Sequence, residues 1–168
     1  MGRPRAPGRY PGWSSAEQQP PAASIAHPPV AEVPTTALKT GGIGVQLLIA
    51  EDDPALAEMY RLKFEHEGWH VRIAGDGERA MEMVASLAPA VIFLDIQMPR
   101  MSGLEVLRTL RSEPTTAHIP VVVISNRADP AAVEDAHGLT ILGWFVKSQV
   151  TPETLANLVR DYLLARQL

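Results

Sequence analysis

The chain contains no cysteine. That excludes a disulfide framework, thiolate metal sites and cysteine nucleophiles, and it suits a reducing cytoplasm, the compartment expected here. No apolar run approaches the roughly 18 residues that cross a bilayer, so no membrane association is expected. Arg3, Arg5 and Arg9 stand near the N-terminus, but no apolar stretch follows them as a secretory signal requires. Basic charge is not in excess either: 15 Lys and Arg against 19 Asp and Glu leave a net charge of −4. That is the wrong sign for neutralising phosphates along a nucleic acid, and no direct nucleic-acid contact is expected. No GxGxxG or GxxxxGK[ST] pattern follows any strand-like run, so a glycine-rich nucleotide loop is unsupported. What the chain does have is length for one ordinary domain, 168 residues, and 46% hydrophobic content with which to bury a core.

Residues 1–44 differ in kind from the rest. They hold eight of the fifteen prolines and half of the twelve glycines, with apolar periodicity at neither 2 nor 3.6 residues. Such a segment cannot bury enough surface to offset its ordering entropy, and it is expected to be a disordered Pro/Gly-rich extension ahead of a folded domain at 45–168. Pro4-Arg5-Ala6-Pro7 fits a PxxP docking pattern, a match that proline-rich composition produces by chance. A translation start placed too far upstream would equally explain the segment.

From Val45 onward apolar strand-like runs alternate with amphipathic helical segments, the pattern of repeated βα units around a parallel sheet. Strands are expected at about Val45 to Glu51, Trp69 to Ala74, Val91 to Leu94, Val121 to Ile124 and Ile141 to Val146. Helices are expected to open at Asp53-Pro54, Asp76, Ser102, Asp129-Pro130 and Thr151-Pro152, where a capping side chain, in three of the five with proline at the first helical position, precedes the periodic run. Ser102 with Glu105 has the capping-box spacing. That leaves Asp95, at the end of the third strand, free of a capping role.

Set side by side, the strand ends carry Glu51 and Asp52, then Asp95, then Ser125, then Lys147. In a parallel sheet all of these emerge on the rim where open α/β sheets bind their ligands. Three converging carboxylates repel one another unless their pKa values rise or a cation binds. Oxygen-only ligands favour a hard ion such as Mg²⁺. With Lys147 as a point charge and Ser125 as a hydroxyl donor, the set describes a pocket for a phosphoryl group, and Asp95 would be the nucleophile that accepts it.

The stretches LLIAEDDP, VIFLDIQMPRMSGLEVL, VVVIS and WFVKS resemble, in order and spacing, the receiver domain of two-component response regulators. The resemblance covers about Val45 to Leu168. It implies a flavodoxin-like (βα)5 fold, a doubly wound five-stranded parallel sheet, and a Mg²⁺ cofactor. It implies Asp52 as direct metal ligand with Glu51 its partner, Asp95 as phosphoacceptor, and Gln97 as the residue whose backbone carbonyl completes the metal shell. It further implies Ser125 as the hydroxyl that moves to the phosphoryl group, Lys147 as the site lysine and Trp144 as the switch aromatic. Its partners would be a sensor histidine kinase or histidine phosphotransfer protein as donor and a downstream protein as target. The signal would pass through the face made by the fourth helix, fifth strand and fifth helix. Because the sequence ends after the last helix, a stand-alone receiver is expected, with no catalysis beyond self-phosphorylation and autodephosphorylation.

The chain departs from the family pattern in three places. Ser148 follows Lys147 where proline, often with a cis bond, is usual; a cis bond before a residue other than proline costs about 2.5–4 kcal/mol, so a trans peptide or local strain is expected. Gln97 and Arg127, both long, occupy positions that govern water access to the phosphoryl group. Ala136 to Gly143 lacks the usual small and acidic loop before the aromatic. Ser148 and the altered loop before the aromatic motivate an alternative, a receiver-fold interaction module that does not use phosphorylation. A small phosphohydrolase is disfavoured, because Asp95-Ile96-Gln97 lacks the second carboxylate such enzymes place two residues on. His66-Glu67-Gly68-Trp69-His70 matches HExxH literally, but zinc binding by that pattern needs an uninterrupted helix, which Gly68 argues against.

Overall fold

The computed structural model describes residues 44–126 and 139–166. Each strand reads as a nearly continuous apolar run because both of its faces are covered. The five are β1 (Gln46–Ala50), β2 (His70–Ala74), β3 (Val91–Asp95), β4 (Val121–Ser125) and β5 (Gly143–Val146), all parallel in one sheet of order β2-β1-β3-β4-β5. Between them run α1 (Pro54–His66), α2 (Gly77–Leu87) and α3 (Gly103–Ser112), and a C-terminal helix spans Pro152–Ala165. This is the flavodoxin-like doubly wound sheet expected from the sequence.

The period-2 geometry of the strands sorts their side chains into two layers. Leu47, Ile49, Val91, Phe93, Val122 and Ile124 pack with Tyr60 and Phe64 of α1 and with Leu155 and Val159 of the C-terminal helix. The alternate residues, Leu48, Ala50, Ile92, Leu94, Val121 and Val123, pack with Ala80 and Val84 of α2 and Val106, Leu107 and Leu110 of α3. β1 sends its chain to β2 on one side, and β3 then lies on the other. This reversal opens a crevice beyond the carboxyl ends of β1 and β3, the topological switch point of such sheets. The chain itself enters at the opposite rim, where β1 starts at Gln46.

The expected caps are in place. Asp53 accepts from the amides of Ala55 and Leu56, Asp76 from Arg79, and Thr151 from Thr154. Ser102 and Glu105 form a reciprocal capping box. Helix α1 stops at His66, Gly68 takes φ 86°, and His70 already belongs to β2. The HExxH histidines therefore do not share a helix. β5 is shorter than the apolar run suggested: Leu142 donates to the Val121 carbonyl at 2.7 Å, and strand pairing begins only at Gly143. Among the described residues no peptide bond is cis, so Lys147–Ser148 is trans. Residues 1–43 of the extension expected at 1–44, the fourth helix expected from Asp129-Pro130, Arg127 and residues 136–138 of the altered loop lie outside the described residues.

Candidate functional site

The crevice at the switch point is built from strand ends. Glu51 follows β1 and Asp95 closes β3; both are buried, at 3% and 2% exposure, while Asp52 points to solvent. Carboxylate oxygens of these three residues lie within 4.8 Å of one another. Lys147, just past β5, reaches across the sheet end and places Nζ 2.8 Å from Asp95 Oδ2 and 2.7 Å from Glu51 Oε2. Backbone amides finish the first contacts. Gln97 N–H donates to Asp95 Oδ1 at 3.0 Å and Asp53 N–H to Glu51 Oε1 at 3.2 Å.

Three carboxylates and one ammonium leave two negative charges, which matches a divalent cation. All donors are oxygen, one carboxylate faces water, and the set suits a hard ion that keeps part of its hydration shell. Burial pushes the Glu51 carboxyl above its ordinary value, opposed by its bond to Lys147 and reinforced by the Asp95 charge. For Lys147 burial pulls downward, yet its bonds to Asp95 and Glu51 outweigh that and hold the ammonium above its usual range. The two directions describe one object, a buried cluster in which the ammonium substitutes for missing positive charge.

Ser125 ends β4 in full burial beside this cluster, and its carbonyl accepts from the Lys147 amide at 2.8 Å, tying β4 to β5 at the rim. Trp144 lies on β5 opposite Val123 and packs into the layer shared with α2 and α3. Its indole Nε1 is buried with no hydrogen-bond partner among the described residues. The structure thus brings together Glu51, Asp52, Asp95 and Lys147 by direct contact or short separation, and seats Ser125 and Trp144 on the adjacent strands.

Other participants escaped the sequence reading. Asn126 Nδ2 donates to Gln97 Oε1 at 3.2 Å, joining the loops after β3 and β4 across the mouth of the crevice. A polar residue directly after Ser125 at a strand end was the signal for it. Tyr60, on α1, is buried close enough to Glu51 and Asp95 that its phenol is pushed up, first by burial and then by the Glu51 charge.

A parallel sheet of this order, with carboxylates at the ends of its first and third strands and a lysine beyond its fifth, is a doubly wound α/β domain that gathers its charged groups at the switch point. The model of the response regulator receiver domain family matches residues 47–160, and the chain belongs to that family, the receiver domains of two-component response regulators. It is 40% identical over 106 residues to the probable transcriptional regulatory protein TcrX of Mycobacterium tuberculosis, a match covering 62% of this chain and 43% of TcrX. It is 41% identical over 85 residues to the response regulator MprA of Mycobacterium ulcerans, covering 51% and 36%. The chain thus spans less than half the length of these relatives. Among solved structures, the signal receiver domain of a histidine kinase from Syntrophus aciditrophicus superposes with a TM-score of 0.66 at 27% identity, covering 73% of this chain and 91% of that one. Vibrio cholerae CheY4 shares the fold, with a TM-score of 0.64 at 24% identity, covering 70% and 98%. Among the described residues no helix is long and apolar enough to cross a membrane.

Proposed function

We propose that Asp95 accepts a phosphoryl group from a phosphohistidine of a sensor histidine kinase or histidine phosphotransfer protein, with Mg²⁺ bound in the acidic cluster. The observation that carries this reading is the Lys147 ammonium shared between Glu51 and Asp95 inside a group of three carboxylates. Glu51, Asp52, Asp95 and the backbone carbonyl of Gln97 would hold the ion. When bound, Mg²⁺ supplies positive charge for the transferring phosphoryl oxygens.

The chain's own residues account for the rest. An Asp95 oxygen attacks phosphorus, the P–N bond to the donor imidazole breaks as the P–O bond forms, and the imidazole keeps the electron pair. Lys147, bonded to Asp95 Oδ2 before transfer, turns its ammonium to a phosphoryl oxygen, and the Ser125 hydroxyl donates to another. The added charge of about −1.5 to −2 draws both residues inward and biases the β5 face on which Trp144 sits. The altered surface around β5 and the C-terminal helix is read by a protein target in the cytoplasm. The mild negative charge of the chain disfavours direct nucleic-acid contact by this domain.

The test is incubation with acetyl phosphate and Mg²⁺ followed by intact mass. One added phosphoryl group is expected, lost in Asp95→Ala and on chelation of the metal. No gain in the wild type, or a gain that survives Asp95→Ala, overturns the reading. Target binding that Asp95→Asn leaves unchanged and phosphorylation does not alter would favour the phosphorylation-independent module.

A further inference from the structure

The loop after Asp95, residues 96–102, is fixed at Arg100, by groups other than the acidic cluster. Arg100 takes φ 65°, a left-handed conformation that costs an L side chain about 1–2 kcal/mol and that glycine adopts freely. The arginine is held there by its side chain. Its guanidinium pairs with the Asp76 carboxylate, and its Nε lies 3.6 Å from Glu78 Oε2. Asp76 is buried, and its Oδ1 also accepts from the Arg79 amide at 2.8 Å to cap α2. A single carboxylate therefore anchors both the start of α2 and the loop beyond β3. An ion pair with one buried end is screened less than a surface pair.

Two glycines complete the seat. A Cβ on Gly77 would overlap the Met101 carbonyl, and a Cβ on Gly103 would overlap the carbonyl of Asp95. The Gly103 amide donates to the Ile96 carbonyl at 3.0 Å, closing the loop at its base. Between these fixed ends lies Gln97. Its amide bonds Asp95 Oδ1, and its carbonyl is the remaining oxygen of the proposed metal shell.

We infer that Asp76 and Arg100 form a strut that positions the Gln97 carbonyl and the Asp95 carboxylate for a divalent cation. This rests on the reading of the acidic cluster as a Mg²⁺ site. Neither residue touches the ion or the phosphoryl group; both are positioning residues. Mg²⁺ demands near-octahedral geometry at short distances, so a carbonyl ligand contributes only if its loop is held still. Residues that bond directly to metal ligands are worth about 10–100-fold in affinity, and a strut acting through the backbone should be worth somewhat less.

Titration calorimetry of the full chain with MgCl₂ tests the strut. Arg100→Gly removes the guanidinium while suiting the left-handed backbone, so folding is protected. The expected result is a Kd for Mg²⁺ weakened about three- to tenfold, with Tm unchanged or raised. Asp76→Asn, which keeps an acceptor to cap α2, should weaken Mg²⁺ binding to the same degree. The double variant should be no weaker than either single one, and Arg100→Lys should restore part of the affinity. A merely structural ion pair would lower Tm in Arg100→Gly and leave Kd alone, which overturns the strut. Additive losses in the double variant also overturn it. Absence of Mg²⁺ binding by the wild type overturns the strut together with the metal reading on which it rests.

Discussion

At the scale of single residues, Lys147 does the most for the cluster, since its ammonium bonds both buried carboxylates. Replacing it by methionine leaves Glu51 and Asp95 buried side by side with no counter-charge. Removing one partner of a buried pair costs about 3–5 kcal/mol, and urea denaturation of Lys147→Met at pH 7 should show a loss near the lower end, about 3 kcal/mol. The loss should shrink on acidification. Glu51, already raised by burial, binds a proton more tightly folded than unfolded, so stability rises as pH falls from its folded value toward 4.5. Gly103→Ala tests the close approach behind Asp95: the added methyl meets backbone, and a loss of about 1–3 kcal/mol is expected. Gly75→Ala, with open space around its Cβ position, is the control that should stay near zero. Glu51, Asp52, Asp95, Ser125 and Lys147 were legible because each stands where an apolar run stops. Asp76 was legible only as a cap and Arg100 not at all, because their meeting joins two loops that sequence periodicity treats separately.

At the scale of elements, the helices were read well because their caps are local chemistry, visible within three or four residues. Ser102→Ala removes the hydroxyl that accepts from the Glu105 amide while leaving the Ser102 N–H free to bond Glu105 Oε2, and a destabilisation of about 1 kcal/mol is expected from thermal or urea unfolding. What the sequence hides is how helices join. α1 and the C-terminal helix are linked by a chain of charges in which Lys63 meets Glu67 at 2.8 Å and also Glu153, and Glu67 meets Arg160. Lys63, followed by Arg160, holds the Glu67 carboxyl down at about 2, below its ordinary 4.5. The sign follows from linkage: the ionised carboxylate stabilises the fold fully above about pH 4.5, and that contribution disappears as pH falls through about 2. Acid titration of stability should therefore be shallower in Glu67→Gln than in the wild type between those limits. The start of β5 was misplaced for a related reason. Ile141 and Leu142 are as apolar as the strand, and only pairing with β4 decides where the ladder begins.

For the whole molecule, alternation of strand-like and helical runs made the layered architecture readable, whereas the strand order came from the family resemblance. Right-handed crossovers restrict the possible orders without selecting one. Cooperativity of the fold should be visible at its aromatic centre, where Phe64 stacks on Phe93 with ring centroids 4.6 Å apart and contacts Tyr60 and Trp69. Phe64→Ala should cost about 3–5 kcal/mol, read through Trp69 emission during urea unfolding.

The chain's entry at the start of β1 has a practical side. Five strand residues at about 3.3 Å each separate Gln46 from the site end of β1, roughly 16 Å. A dye, a surface tether or a fused protein joined directly at Gly44 would be attached at the floor of the domain, with the acidic mouth facing away. A receiver immobilised by that end keeps the crevice that holds Asp95 turned toward free solution.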